Sequence, residues 1–188
     1  MSKIGLPQKG KNVLLHCCCA PCSSAIVEWM VNNDIKPTLY FYNPNIFPRE
    51  EYDKRKAECI RYAEHWNLKI VDSDYDHDEW LSVVNGLEQE PERGRRCSEC
   101  FKIRLINAAK YAQNNGYQII TTTLSSSRWK DVEQVADAGR LAVSTVNDVE
   151  YWDQNWRKNG LSERRSILIK EFAFYNQQYC GCEFSMRL

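Results

Sequence analysis

The amino-acid sequence predicts an α/β protein: a mostly parallel sheet with helices on both faces, followed by a helical C-terminal part. Three observations predict it. Strand-like apolar runs alternate with helical patterns of about 10–15 residues, the rhythm of βαβ units. HCCCAPC, NPNIF and TTTLSSS each follow a strand candidate directly, as expected where loops gather chemistry outside the carboxyl ends of parallel strands. The 188 residues, 43% hydrophobic and 27% charged, suit one domain over residues 1–188 with a sizeable core.

NVLLH (12–16) is an apolar burst that ends in the cysteine loop. SSAIVEWMVNN then reads as a helix capped by Ser23 or Ser24, whose hydroxyl can accept an orphan N–H. KPTLYFYN is an aromatic-rich strand stopped by the turn residues NPN. EEYDKRKAECIRYAEHWN spaces Tyr52, Ala57, Ile60, Tyr62 and Ala63 at helical intervals, and LKIVD is a third strand. A polar, Trp-containing stretch from Tyr75 to Glu90 leads to RRCSECFKIRLINAAKYAQNNG, whose second half is an amphipathic helix closed by Gly116. YQIITTTL follows as a β-branched strand. The final third holds helical patterns around VEQVADAGRLA and SERRSILIKEFAFY before the tail YCGCEFSMRL.

Twenty-five basic and twenty-five acidic residues cancel, so the chain as a whole has no polycation signature. The distribution is uneven: residues 91–110 carry six Lys or Arg against two Glu, and residues 157–170 carry five against one Glu. A polyanion can therefore meet one face. No run approaches the roughly 18 apolar residues of a membrane span, and the N-terminal apolar segment is too short for a signal peptide. The expectation is a cytoplasmic protein with no membrane contact.

Nine cysteines, an odd number at uneven spacing, argue against a disulfide framework and for metal or redox chemistry. Cys17, Cys18, Cys19 and Cys22 crowd into one loop, and Cys97 and Cys100 form a C-x-x-C pair. Two thiolates three positions apart can reach one tetrahedral ion or two corners of a cluster. Cys180 and Cys182 flank Gly181, which lets the backbone turn so that the thiols share a metal or close a strained, reducible disulfide. Thiolates without a dedicated histidine suit zinc or iron–sulfur. His16 beside the cysteines can ligate, donate a proton or simply pack, whereas His65 and His77 read as bystanders and Cys59 as a buried free thiol.

LLHCCCAPCS, YFYNPNIFPREEYDKR, RRCSEC, TTTLSSS and YCGCEFS, in this order, resemble the cobalamin-independent epoxyqueuosine reductases of the QueH type. The similarity runs from about residue 12 to residue 185. The resemblance implies a Rossmann-like fold related to the PP-loop/HUP nucleotide-binding group, and reduction of the epoxide of epoxyqueuosine at the tRNA wobble position to give queuosine. It implies a [4Fe-4S] cluster on Cys18, Cys19, Cys97 and Cys100, and Cys180 and Cys182 as a redox-active dithiol or as ligands of an additional mononuclear iron that Cys22 can complete. Cys17 departs from the family pattern, which leaves open which neighbours ligate. The implied partners are tRNAs with GUN anticodons (Asp, Asn, His, Tyr) and an electron donor.

A wobble base reaches such a site by splaying from the anticodon loop while basic side chains hold its phosphates. Arg93, Arg95 and Arg96 are the best phosphate candidates, with Arg128 and Lys130, and Arg164 and Arg165, as weaker ones. Asp131, behind the serine loop, is a candidate acid or ligand-orienting group. Tyr42, Phe47, Trp80 and Trp129 can stack on a base or fill the core. Two other readings compete: a zinc-stabilised, PP-loop-like tRNA-modifying protein, and a non-enzymatic iron–sulfur carrier or sensor. The cysteine loop occupies the place where an ATP phosphate loop would follow the first strand, which counts against ATP chemistry.

Overall fold

Among the described residues five short strands form, four of them from the apolar runs, and every pairing between them is parallel. The computed structural model describes residues 4–73 and 75–186. In it β1 (Val13–His16), β2 (Thr38–Phe41), β3 (Ile70–Asp72), β4 (Ile119–Thr122) and β5 (Glu150–Tyr151) lie in the order β3-β2-β1-β4-β5. Chain order reverses beside β1, so its carboxyl end and that of β4 flank the crevice in which doubly wound sheets bind ligands. The register sets Leu15 opposite Thr121 and His16 opposite Thr122 across these two strands.

Side-chain alternation divides the core between the faces. Leu15, Leu39 and Phe41 pack with α1 (Ala20–Asn32), α2 (Arg49–His65) and α6 (Leu161–Glu171), whereas Leu14, Tyr40 and Ile120 pack with α4 (Arg95–Asn114) and α5 (Val132–Ser144). The first four strands and the four long helices before residue 145 follow the expected pattern, whereas β5 falls where no strand is expected. No described helix is long and apolar enough to cross a membrane.

Several boundaries differ from expectation, with consequences for the cysteines. α1 begins at Ala20, with Cys19 as its N-cap. Ser23 and Ser24 do not cap it: their hydroxyls donate back to Cys19 O (2.8 Å) and Pro21 O (3.2 Å). Pro21 drives the earlier start, because its fixed φ suits the first helical turn. α4 likewise begins at Arg95, which places the whole CSEC pair inside its first turns. The polar stretch after β3 contains α3 (His77–Val84), capped by Asp76 Oδ1 accepting from Glu79 N (2.8 Å). Strand β4 stops at Thr122, and residues 123–126 coil into a 3-10 turn.

After α6 the chain returns over the carboxyl rim. Phe47 N donates to Gly181 O (2.9 Å), and buried Arg55 donates to the carbonyls of Tyr179 (3.2 Å) and Cys180 (3.1 Å). Gly181 has φ +133°, and a Cβ there would lie 3.0 Å from Arg55 Nη1 and 3.2 Å from Asn45 Nδ2. Both its conformation and the space around it call for glycine.

Candidate metal centre

The abrupt change from strand to helix at residues 16–20 concentrates thiols at one point. Cys18, Cys19 and Cys22 are buried, and their sulfurs all lie within 4.8 Å of one another. Cys19 caps α1 and Cys22 lies in its first turn, where the helix N-terminus favours negative charge. Hydrogen bonds from the Cys19 and Cys22 thiols, with help from the Lys130 and Arg104 cations, pull the Cys18 thiol well below its usual range. Sharing with the Cys18 sulfur pushes Cys22 up to about 11, and burial raises Cys19. One thiolate is thus favoured in the trio, at Cys18. The trio can hold a metal ion.

Cys17 faces the other way. It is fully buried, donates to Leu15 O (3.3 Å), belongs to the core beneath α1, and burial pushes its thiol up to about 12. Cys59 is a buried thiol in the same core. His16 has both ring nitrogens engaged, Nδ1 with Thr122 Oγ1 (2.8 Å) and Nε2 with Tyr42 O (3.1 Å). Burial, then the Arg104 charge, lowers its pKa to about 3. It packs and hydrogen-bonds as a neutral ring.

The remaining thiols come from α4 and the tail. Cys100 and Cys182 share an apolar cluster with Trp80 and Val84, and Cys97 is raised to about 11 by burial and by the nearby charges of Cys100, Cys180 and Cys182. Arg93 N donates to Cys97 Sγ (3.3 Å). Of the four thiols expected to share one cluster, Cys18 and Cys19 sit with Cys22, Cys97 packs against the same apolar cluster, and Cys100 lies with Cys182. Beside Cys18 lies a cavity with about 10 Å³ of free volume, walled by Cys18 and Cys180 together with Asn43, Arg104 and Lys130. That is space for about one water.

Arg104 and Lys130 bring buried positive charge to this point. Arg104 donates to Asn43 Oδ1 (2.5 Å) and approaches Cys100 Sγ (4.0 Å). Burial alone would depress the Lys130 ammonium, yet Cys180, Cys18 and Cys22 raise it above the usual lysine range. A buried, all-sulfur donor set beside fixed cations suits a thiophilic metal or an anionic cluster. The residues present fit such a group.

Sequence reasoning placed Lys130 on a phosphate, but it is 5% exposed and lines the thiol cavity. Arg96 also needs correction. It is 2% exposed, donates to the carbonyls of Leu87 (3.3 Å), Glu88 (2.7 Å) and Glu90 (2.5 Å), and stacks on Phe184. Arg93, Arg95 and Arg128 are exposed, and Arg93 Nη2 donates to Arg128 O (2.8 Å). Arg164 is held by Glu28 and Glu171. Asp131 caps α5, its Oδ1 accepting from Glu133 N (2.9 Å) and Gln134 N (3.1 Å). His77 is no loop bystander: it engages Pro44 O (2.7 Å) and Glu183 Oε1 (3.1 Å), tying α3 to the tail. Trp80 and Tyr42 are buried, whereas Phe47 is exposed and Trp129 half-buried.

Arg104, Asn43, Asn45 and Gln177 escaped the sequence reading. Arg104 follows Cys100 by one helical turn, a spacing that places both on one face. Asn43 and Asn45 belong to the NPN loop already expected on this rim. Nothing local marks Gln177, whose Nε2 donates to Cys19 Sγ (2.9 Å).

Fold and site together define a class: doubly wound α/β proteins with a buried cysteine metal site at the point where strand order reverses. The epoxyqueuosine reductase QueH family model matches residues 13–188. The epoxyqueuosine reductase QueH of Histophilus somni is 48% identical over 185 residues, covering 98% of this chain and 76% of that protein. Its counterpart in Acinetobacter baylyi is 46% identical, covering 98% and 85%. The chain belongs to the epoxyqueuosine reductase QueH family. The U34-tRNA thiolase NcsA from Methanococcus maripaludis, solved with its [4Fe-4S] cluster, shares the fold: TM-score 0.54 at 12% identity, over 95% of this chain and 63% of that one.

Proposed function

We propose that the chain reduces the epoxide of epoxyqueuosine at the tRNA wobble position to the cyclopentene of queuosine. The observation that carries this reading is the buried Cys18–Cys19–Cys22 trio in a chain of the QueH family. The reaction consumes two electrons and two protons and breaks both carbon–oxygen bonds of the epoxide, releasing the oxygen as water. Cys18, Cys19, Cys97 and Cys100 are our assignment for a [4Fe-4S] cluster. Cys22, Cys180 and Cys182 are left to hold an additional iron or, for the last two, to act as a dithiol. When bound, the iron–sulfur group supplies electrons singly; a dithiol would supply both and end as a disulfide.

The protein's own groups prepare this chemistry. Lys130 and Arg104, both buried, offset thiolate charge in a narrow cavity where fixed charges act strongly. Arg93, Arg95 and Arg128, exposed near the rim, are our phosphate contacts for tRNAs with GUN anticodons. The strand order supports kinship with the PP-loop/HUP group, with cysteines in place of its phosphate loop. A cytoplasmic protein fed by an external electron donor completes the reading.

Anaerobic purification with iron and sulfide analysis, followed by chemical reduction in the presence of epoxyqueuosine-bearing tRNA, tests it. We expect iron-dependent loss of one oxygen mass from the modified nucleoside. Bound zinc, with no mass change after iron–sulfur reconstitution, would favour the zinc-stabilised reading instead.

A further inference from the structure

Two hollows meet at the cysteine rim and share a wall. The narrow one is the cavity between Cys18 and Cys180. The other is open, has a volume of about 470 Å³, and is bordered by Cys22, Arg128, Arg165 and Ile169. Ser127, Trp129 and Gln177 line both. The open cleft falls within the roughly 300–1,000 Å³ typical of sites for small ligands or single ligand groups.

Its chemistry is one-sided. Two guanidinium groups and several amides border it, with no carboxylate among the described lining residues. Arg165 uses Nη1 on Ser126 O (2.9 Å), while its Nε is buried without a hydrogen-bond partner among the described residues. Gln177 gives its Nε2 to Cys19 Sγ, and its Oε1 is a buried acceptor with no partner there. A buried acceptor left unmet is costly. A ligand bringing an N–H or O–H would satisfy it beside the thiols, and a phosphate would satisfy the arginines.

We propose that this cleft receives the wobble nucleotide, with Arg128 and Arg165 on its flanking phosphates and Gln177 Oε1 accepting a hydrogen bond from the modified nucleoside. Gln177 is a positioning residue that sets the nucleoside against the wall of the thiol cavity. The proposal rests on the epoxide-reductase reading and adds to it where the substrate enters and which groups hold it.

The test is tRNA binding by the iron-loaded protein across a salt series, alongside single-turnover reduction. Arg128→Ala/Arg165→Ala should raise Kd roughly 10–100-fold and flatten the salt dependence by a slope of about one to two. Iron content should hold. Lys36→Ala, on the opposite rim, should leave Kd unchanged. Gln177→Leu should abolish any tighter binding of an epoxyqueuosine stem-loop over its guanine counterpart. Arg128→Ala alone changes an exposed side chain and gives the slope effect even if the double variant fails to fold. A wild-type Kd and slope in the arginine variants of an active protein would overturn the cleft assignment. Iron-loaded wild type that binds tRNA but never reduces the epoxide would instead overturn the parent reading.

Discussion

Tyr62 shows how one side chain couples burial to pH. Its hydroxyl donates to Ser24 O (2.9 Å), its ring packs edge-on against Phe172 and Phe174, and burial pushes its pKa up to about 12. An acid whose folded pKa is raised is favoured in its neutral form, so stability is full below the unfolded value of about 10 and falls as pH climbs towards 12. The slope is at most about 1.4 kcal/mol per pH unit. Tyr62→Phe loses about 1 kcal/mol at neutral pH and escapes this titration. Denaturant midpoints of the two proteins should therefore converge above about pH 10; parallel curves to pH 12 would contradict the burial effect. At the same scale, cysteine type and spacing made the metal chemistry legible in sequence. The divergent fates of neighbours did not: Cys17 points into the core while Cys18 joins the trio, because a residue's direction depends on the backbone turn and not on its type.

At the scale of elements, helix starts matter most. α1 and α4 both begin earlier than their periodicity suggests, at Ala20 and Arg95, so thiols expected in loops sit in first turns. Polar and cysteine-rich openings carry no apolar rhythm, which is why periodicity starts too late there. α5 allows a clean test, because Asp131 caps it and was also a candidate acid. Asp131→Ala should cost about 0.5–2 kcal/mol, whereas Asp131→Ser keeps a capping oxygen and should stay within a few tenths. Single-turnover assays of the serine variant discriminate the roles. Wild-type turnover means the residue serves the helix, and a large loss at unchanged stability means it serves the chemistry.

For the molecule as a whole, the tail is the element that closes the site. Arg55 and Glu51 form a buried ion pair (2.7 Å), and Arg55 also holds the tail carbonyls while Tyr175 OH donates to Glu51 Oε2 (2.7 Å). Removing one partner of such a pair strands the other's charge, at about 3–5 kcal/mol. Arg55→Ala should lower thermal stability by that amount, expose residues 176–182 to limited proteolysis and reduce retained metal. An unchanged melting temperature with an intact tail would show that the pair does not hold the rim together. By itself, the sequence determined the class of fold, through alternating strands and helices, and the kind of metal chemistry, through thiols without spare histidines. Tertiary structure alone decided which thiols meet, that Lys130 and Arg96 turn inward, and that Gln177 reaches Cys19. Several of those outcomes depend on residues distant in the chain, such as Gln177 and Cys19, 158 positions apart, and local propensity carries no information about such neighbours.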